Sequence, residues 1–183
     1  MASEYIEHGT LLRAVGNDTP GYSGDGGPAS TATGVSGPFT ANGVGNLFIS
    51  SGGHICKISP DGMIVSVAGN GKFYLDPIDG VPATSAHLIS PTEVAVDGVD
   101  NVFIKEARGI RKVSPSEIIT TVMIAAPCVY SWTGITIGGD QSPCIAAGMA
   151  GDCAGNLFLQ DYFRIRTLSP DGTIITVAGS ENL

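Results

Sequence analysis

Asp100-Asn-Val-Phe-Ile104 decides the fold, because the same phrase stands at Gly45-Asn-Leu-Phe-Ile49 and again at Gly155-Asn-Leu-Phe-Leu159. The interval is 55 residues each time. Ser59-Pro-Asp-Gly62, Ser114-Pro-Ser-Glu117 and Ser169-Pro-Asp-Gly172 keep that interval. Val67-Ala-Gly69 returns as Val177-Ala-Gly179 two periods on, with Val122-Met-Ile124 between them. Three landmarks in one phase mark an internal repeat.

Working outward from the middle copy, Thr92 to Asp97 alternates apolar with polar and gives a first strand ending at Gly98. Residues 101–105 give a second and 109–113 a third, in which Ile110 and Lys112 face away from Arg111 and Val113. Ser114-Pro115 interrupts the ladder, since proline has no amide hydrogen to donate. Residues 118–123 form a fourth strand. In the outer copies the matching turns are Pro60-Asp-Gly62 and Pro170-Asp-Gly172, where proline fixes φ and glycine accepts a positive one. Four short antiparallel strands per unit predict an all-β chain: three four-stranded propeller blades, half of a six-bladed ring.

Composition agrees. The chain has 26 Gly, 11 Pro and only 14% charged residues, which suits short strands and sharp turns. Its net charge of −8 argues against nucleic acid or anionic membrane as partners, because both attract basic surfaces. No run is long and apolar enough to span a bilayer, and Met1 to His8 lacks the pattern of a signal peptide. Cys56, Cys128, Cys144 and Cys153 show no Cys-x-x-Cys spacing. One disulfide within 128–153, in keeping with a secreted or extracytoplasmic setting, and buried free thiols both remain open.

These phrases, with the loop Gly21-Tyr-Ser-Gly-Asp-Gly-Gly-Pro-Ala29, resemble the bacterial style of the NHL-repeat family. The resemblance covers Leu11 to Gly179, in units of about 11–68, 69–123 and 124–179, with short tails at 1–10 and 180–183. The third unit departs most, with Cys128 to Gly134 in place of a glycine-rich loop and Ala147 to Asp152 in place of a regular first strand. The resemblance implies a six-bladed ring and a non-catalytic binding or scaffolding role, chiefly towards protein. Leu11 to Val15 aligns with a fourth strand, so one outer strand is surplus. A piece of a longer array would carry such a strand, and so would half of a two-chain ring. Either way, missing blades or a second copy complete the ring, and the end blades should expose apolar faces.

Candidate sites follow from this frame. The long loops at 17–37, 70–91 and 124–144 should share one end of the blades with the turns between second and third strands. The binding face expected there comprises Tyr22, Asp25, Asp79, Arg108, Trp132, Asp140, Tyr162 and Phe163, facing a protein or a sugar. Asp25, Asp79 and Asp140 each precede a proline by three residues, which reads as a capped Asx-turn, or as a calcium site if any cofactor is bound. His8, His54 and His87 share no ligand spacing and read as surface or turn residues. A propeller hydrolase or lyase with a channel metal is the rival reading. For it the first strands offer Asn42 and Asp97, and nothing equivalent in 145–148 before Asp152. Arg108, Arg111, Lys112, Arg164 and Arg166 are expected on a solvent-facing surface. Phe48, Phe103 and Phe158 should be buried between blades.

Overall fold

The computed structural model describes residues 15–17, 22–72, 74, 76–124, 129–131, 134–136, 148–161 and 164–179. The first blade contains β1 (Phe39–Ala41), β2 (Leu47–Ser51), β3 (His54–Ile58) and β4 (Ile64–Ala68), hydrogen-bonded in that order. A two-residue strand, β5 (Val81–Pro82), precedes the second blade: β6 (Glu93–Val96), β7 (Val102–Glu106), β8 (Gly109–Val113) and β9 (Ile118–Ile124). A separate hairpin pairs β10 (Val129–Ser131) with β11 (Gly134–Thr136). The third blade holds β12 (Met149–Gly151), β13 (Leu157–Asp161), β14 (Arg164–Leu168) and β15 (Ile174–Ala178). All pairings are antiparallel, and the chain is an all-β partial propeller.

Register proves the repeat. Phe48 pairs with Thr40 and Lys57, Phe103 with Ala95 and Lys112, and Phe158 with Ala150 and Thr167. The third-to-fourth strand pairing slips at Ile55/Cys56, Ile110/Arg111 and Ile165/Arg166, the same place in each blade. A bulge at this point adds local twist to the outer half of a blade.

Because side chains alternate along a strand, each blade has two apolar faces, one towards each neighbour. Phe48, Ile55 and Ala68 of the first blade pack against Val94, Val96, Val102, Ile104, Val113 and Ile119 of the second. On the opposite face of the second blade, Ala95, Phe103, Ile110 and Met123 pack against Leu157, Leu159 and Leu168. The inner strands approach closely here. A Cβ on Gly151 would stand 2.6 Å from the Val96 carbonyl oxygen, and the Gly98 amide donates to the Asp152 carbonyl at 2.9 Å.

Two expectations are corrected. Phe48 and Phe103 are each 4% exposed, but Phe158 is only half-buried, because among the described residues no further blade packs on its face. The first strand of the third blade is 149–151 rather than 145–148, which makes Asp152 the counterpart of Asp97.

The second sheet has five strands, because β5 pairs with β9 through Val81–Ile119 and Pro82–Ile118. The first blade repeats this as a single bridge between Pro28 and Met63. The first two long loops therefore return along the outer strand of the blade that follows them. Short 3-10 turns at Ala29–Thr31 and Ala83–Ser85 come next, burying Ala29, Ala32, Ala83 and Ala86 against the blade.

Candidate functional site

The two ends of the blades differ in kind. At one end lie the turns between first and second strands. Asp97 Oδ1 accepts the amides of Val99 (3.0 Å) and Asn101 (2.8 Å), while Oδ2 accepts the Asn101 side-chain amide at 2.7 Å. Asp152 does the same with Ala154 and Asn156. Hydrogen bonds from Asn156 hold its carboxyl below the usual aspartate value. Asn42 accepts from Val44 and Asn46 and donates to Asp100 across the blade boundary at 2.9 Å. The three turns line one cavity of about 370 Å³. Asn42, Asp97 and Asp152, the side chains that the sequence offers to a channel, each accept backbone amides of their own turns. Among the described residues no three His, Cys, Asp or Glu side chains are grouped to hold a metal ion.

At the other end the first two long loops meet the turns between second and third strands. The Ser51 hydroxyl donates to the Gly34 carbonyl, and the Ala107 amide to the Ile89 carbonyl at 3.1 Å. Tyr22 stacks on His54 with ring centroids 3.8 Å apart and planes 9° from parallel. Its hydroxyl hydrogen-bonds Ser66 and accepts from Cys56 Sγ at 3.6 Å. Burial pushes the Tyr22 phenol up and the His54 imidazole down, so both rings are neutral near pH 7. Tyr74 is 59% exposed and stands edge-on to His87, which is itself 5% exposed and hydrogen-bonded to the Asp76 carbonyl. His87 therefore organises its loop rather than sitting on the surface. Arg108 is exposed at the tip of the β7–β8 hairpin. Trp132, Asp140, Tyr162, Phe163 and His8 lie outside the described residues.

Asp25 and Asp79 do not cap their own turns. Asp25 accepts the amide of Ser66, and Asp79 accepts the amide and hydroxyl of Thr121 at 2.9 and 3.1 Å. Ser66 and Thr121 occupy the same place in successive outer strands, so these carboxylates tie loop to blade. Asp79 Oδ1 also lies 3.0 Å from Arg111 Nη2. At Asp79 the Arg111 guanidinium and the Thr121 amide and hydroxyl all meet one carboxylate.

The expected basic surface is also corrected. Arg111, Arg164 and Arg166 are 2%, 3% and 4% exposed. Arg164 pairs with the fully buried Asp161 at 2.8 Å, and Arg166 lies 3.6 Å from the same carboxylate. Glu106 and Arg111 in the second blade correspond to Asp161 and Arg166 in the third, and to Ser51 and Cys56 in the first. The sequence held a signal for this. Arg111 alternates onto the same face as Val113, and in a blade packed on both sides either face of the third strand is covered. Cys56 is a buried free thiol and Cys153 an exposed one.

No protein-family model matches this sequence, and no curated protein matches it. Solved structures do. A streptogramin B lyase aligns with a TM-score of 0.50 and 17% identity, over 81% of this chain and 42% of its own. Virginiamycin B lyase from Staphylococcus aureus gives 0.48 and 18%, over 79% and 41%. A protein of unknown function from Bacteroides thetaiotaomicron gives 0.41 and 21%, over 63% and 29%. The chain spans less than half the length of each of these proteins. At such identities the likeness is one of fold, and the chain is an arc of a β-propeller.

Proposed function

We propose that this arc is a non-catalytic binding module of NHL type that engages a protein partner through the loop end of its blades. One observation carries the reading: at that end the second long loop holds an exposed aromatic ring, Tyr74, beside exposed charged and aliphatic side chains. The turns at the opposite end repeat the same side-chain scheme in all three blades, with Asn42, Asp97 and Asp152 spent on their own backbones. Loops carried on a repeated frame are how scaffolds present recognition surfaces. Lys72, Tyr74, Asp76, Ile78 and Arg108 are exposed there. An exposed ring among aliphatic and charged groups is the composition of a protein-binding patch, with sugar as the lesser alternative.

A phage-displayed random peptide library panned against the chain tests this. Enriched peptides should lose affinity roughly tenfold or more on Tyr74→Ala or Arg108→Ala, and keep it on Val44→Ser at the turn end. Loss confined to the turn-end variant would refute the assignment. Turnover of a streptogramin B by the purified chain would favour the lyase reading instead.

A further inference from the structure

The sequence holds two Asn-Gly pairs, Asn42-Gly43 and Asn70-Gly71, and the fold treats them differently. Asparagine before glycine is chemically labile, because no side chain shields the following backbone nitrogen from the asparagine amide carbon. At Asn42 the surroundings leave that approach open. Gly43 is exposed, nothing stands within 4 Å of where a Cβ would lie, and its amide donates no hydrogen bond among the described residues. Asn42 Oδ1 accepts the Asn46 amide at 3.0 Å and the Val44 amide at 3.3 Å, and both draw electron density from the carbon to be attacked. Gly71 is hemmed in instead, since a Cβ there would stand 2.7 Å from His54 Nε2. Asn70 Oδ1 accepts a single amide, that of Lys72, and Nδ2 is tied to the Ser85 carbonyl at 2.8 Å.

The Asn42 side chain also spans a blade boundary, donating from Nδ2 to Asp100 Oδ1 at 2.9 Å. Asp100 holds a φ of 62°, where the equivalent residues of the other blades are Gly45 and Gly155, at 86° and 85°. A non-glycine residue adopts that conformation at a cost, which the hydrogen bond from Asn42 offsets. At the next boundary both residues are exchanged. Asp97 stands in the place of Asn42 and faces Gly155, whose Cβ would lie 3.6 Å from Asp97 Oδ2. Where the first turn carries a carboxylate, the facing turn carries none.

We propose that Asn42 is a site of spontaneous deamidation, and that its conversion loosens the boundary between the first and second blades. The Gly43 nitrogen bonds to Asn42 Cγ, the Cγ–Nδ2 bond breaks, and the Gly43 amide proton leaves with Nδ2 as ammonia. Solvent water then opens the resulting succinimide at either carbonyl, giving aspartate or isoaspartate. Aspartate keeps the turn closed, as Asp97 and Asp152 do, but sets a second carboxylate where Asp100 had a donor. Like charges facing each other destabilise the pairing. Isoaspartate adds a carbon to the backbone and opens the turn as well.

Peptide mapping by mass spectrometry, on the folded chain held at mildly alkaline pH, tests the site. The Asn42 peptide should convert severalfold faster than the Asn70 peptide. In urea, where His54 no longer confines Gly71, the two rates should converge. No conversion at Asn42 in the folded chain, or conversion at Asn70 that is as fast, would overturn the assignment. The consequence is read from Asn42→Asp, which reproduces the aspartate product. This variant should lower the melting temperature by about 2–4 °C at low salt, and by less at high salt. In an Asp100→Gly background, which recreates the pairing of Asp97 with Gly155, that loss should disappear. An equal loss in both backgrounds would overturn the link to Asp100.

Discussion

Arg111 and Asp79 meet across the junction of loop and blade: Nη2 lies 3.0 Å from Oδ1 and also donates to the Ile78 carbonyl at 2.7 Å. The arginine is 2% exposed, but the Asp79 side chain is 46% exposed, so the pair is dry on one side only. Removing one partner of a buried pair costs about 3–5 kcal/mol, and solvent on the aspartate side lowers that to roughly 2–3. Asp79→Ala should lose this much in urea denaturation. Asp79→Ala combined with Arg111→Met should recover part of it, because the buried guanidinium is then gone while Thr121 still lacks its acceptor and Glu106 its counter-charge.

Glu106 makes stability depend on pH. Burial raises its carboxyl above the ordinary 4.5, and the nearby Arg111 pulls it back only in part. The folded state therefore holds a proton that the unfolded state releases once pH passes 4.5. Stability should fall as pH rises from there through the raised folded value. Glu106→Gln should flatten that stretch of the melting-temperature profile and raise stability at neutral pH. An unchanged slope would mean that Glu106 does not set it.

Asp97 offers a test of turn closure against metal binding. Asn42 performs the same backbone closure in the first blade. Asp97→Asn should therefore cost under about 1 kcal/mol. Asp97→Ala, which leaves the Val99 and Asn101 amides unserved, should cost about 2–3 kcal/mol. Chemical denaturation with and without a chelator separates the readings, since a ligand role would make the loss depend on metal.

Gly151 is required by proximity. Any Cβ there would overlap the Val96 carbonyl, which is backbone and cannot rotate away. Gly151→Val should prise the second and third blades apart, costing about 1–3 kcal/mol or more. Hydrogen exchange should rise in β6 and β12 together while β2 and β3 stay protected.

Much of this was legible in the sequence. The 55-residue interval located the blades, and the observed strands 109–113 and 118–124 nearly coincide with those read from alternation. The buried arginines were hidden for a physical reason: charge signals solvent unless a partner is known. The partner of Arg111 is Asp79, 32 positions upstream in a loop whose path no local pattern specifies. Asp25 and Asp79 were misread likewise, because an aspartate near a proline resembles a local cap, and its bond to a strand some 40 residues onward leaves no nearby trace.

The stitching of the first two loops onto the outer strands of the blades that follow them bears on how such an array grows by duplication. A copied segment cut at the start of the first strand would carry Arg111 and Thr121 without Asp79. It would also leave the outer strand without the partners that Val81 and Ala83 supply. The heritable unit for this blade is therefore the loop together with the four strands after it, about 70–124 here. Copies cut within that segment would arrive with an orphaned guanidinium in their cores.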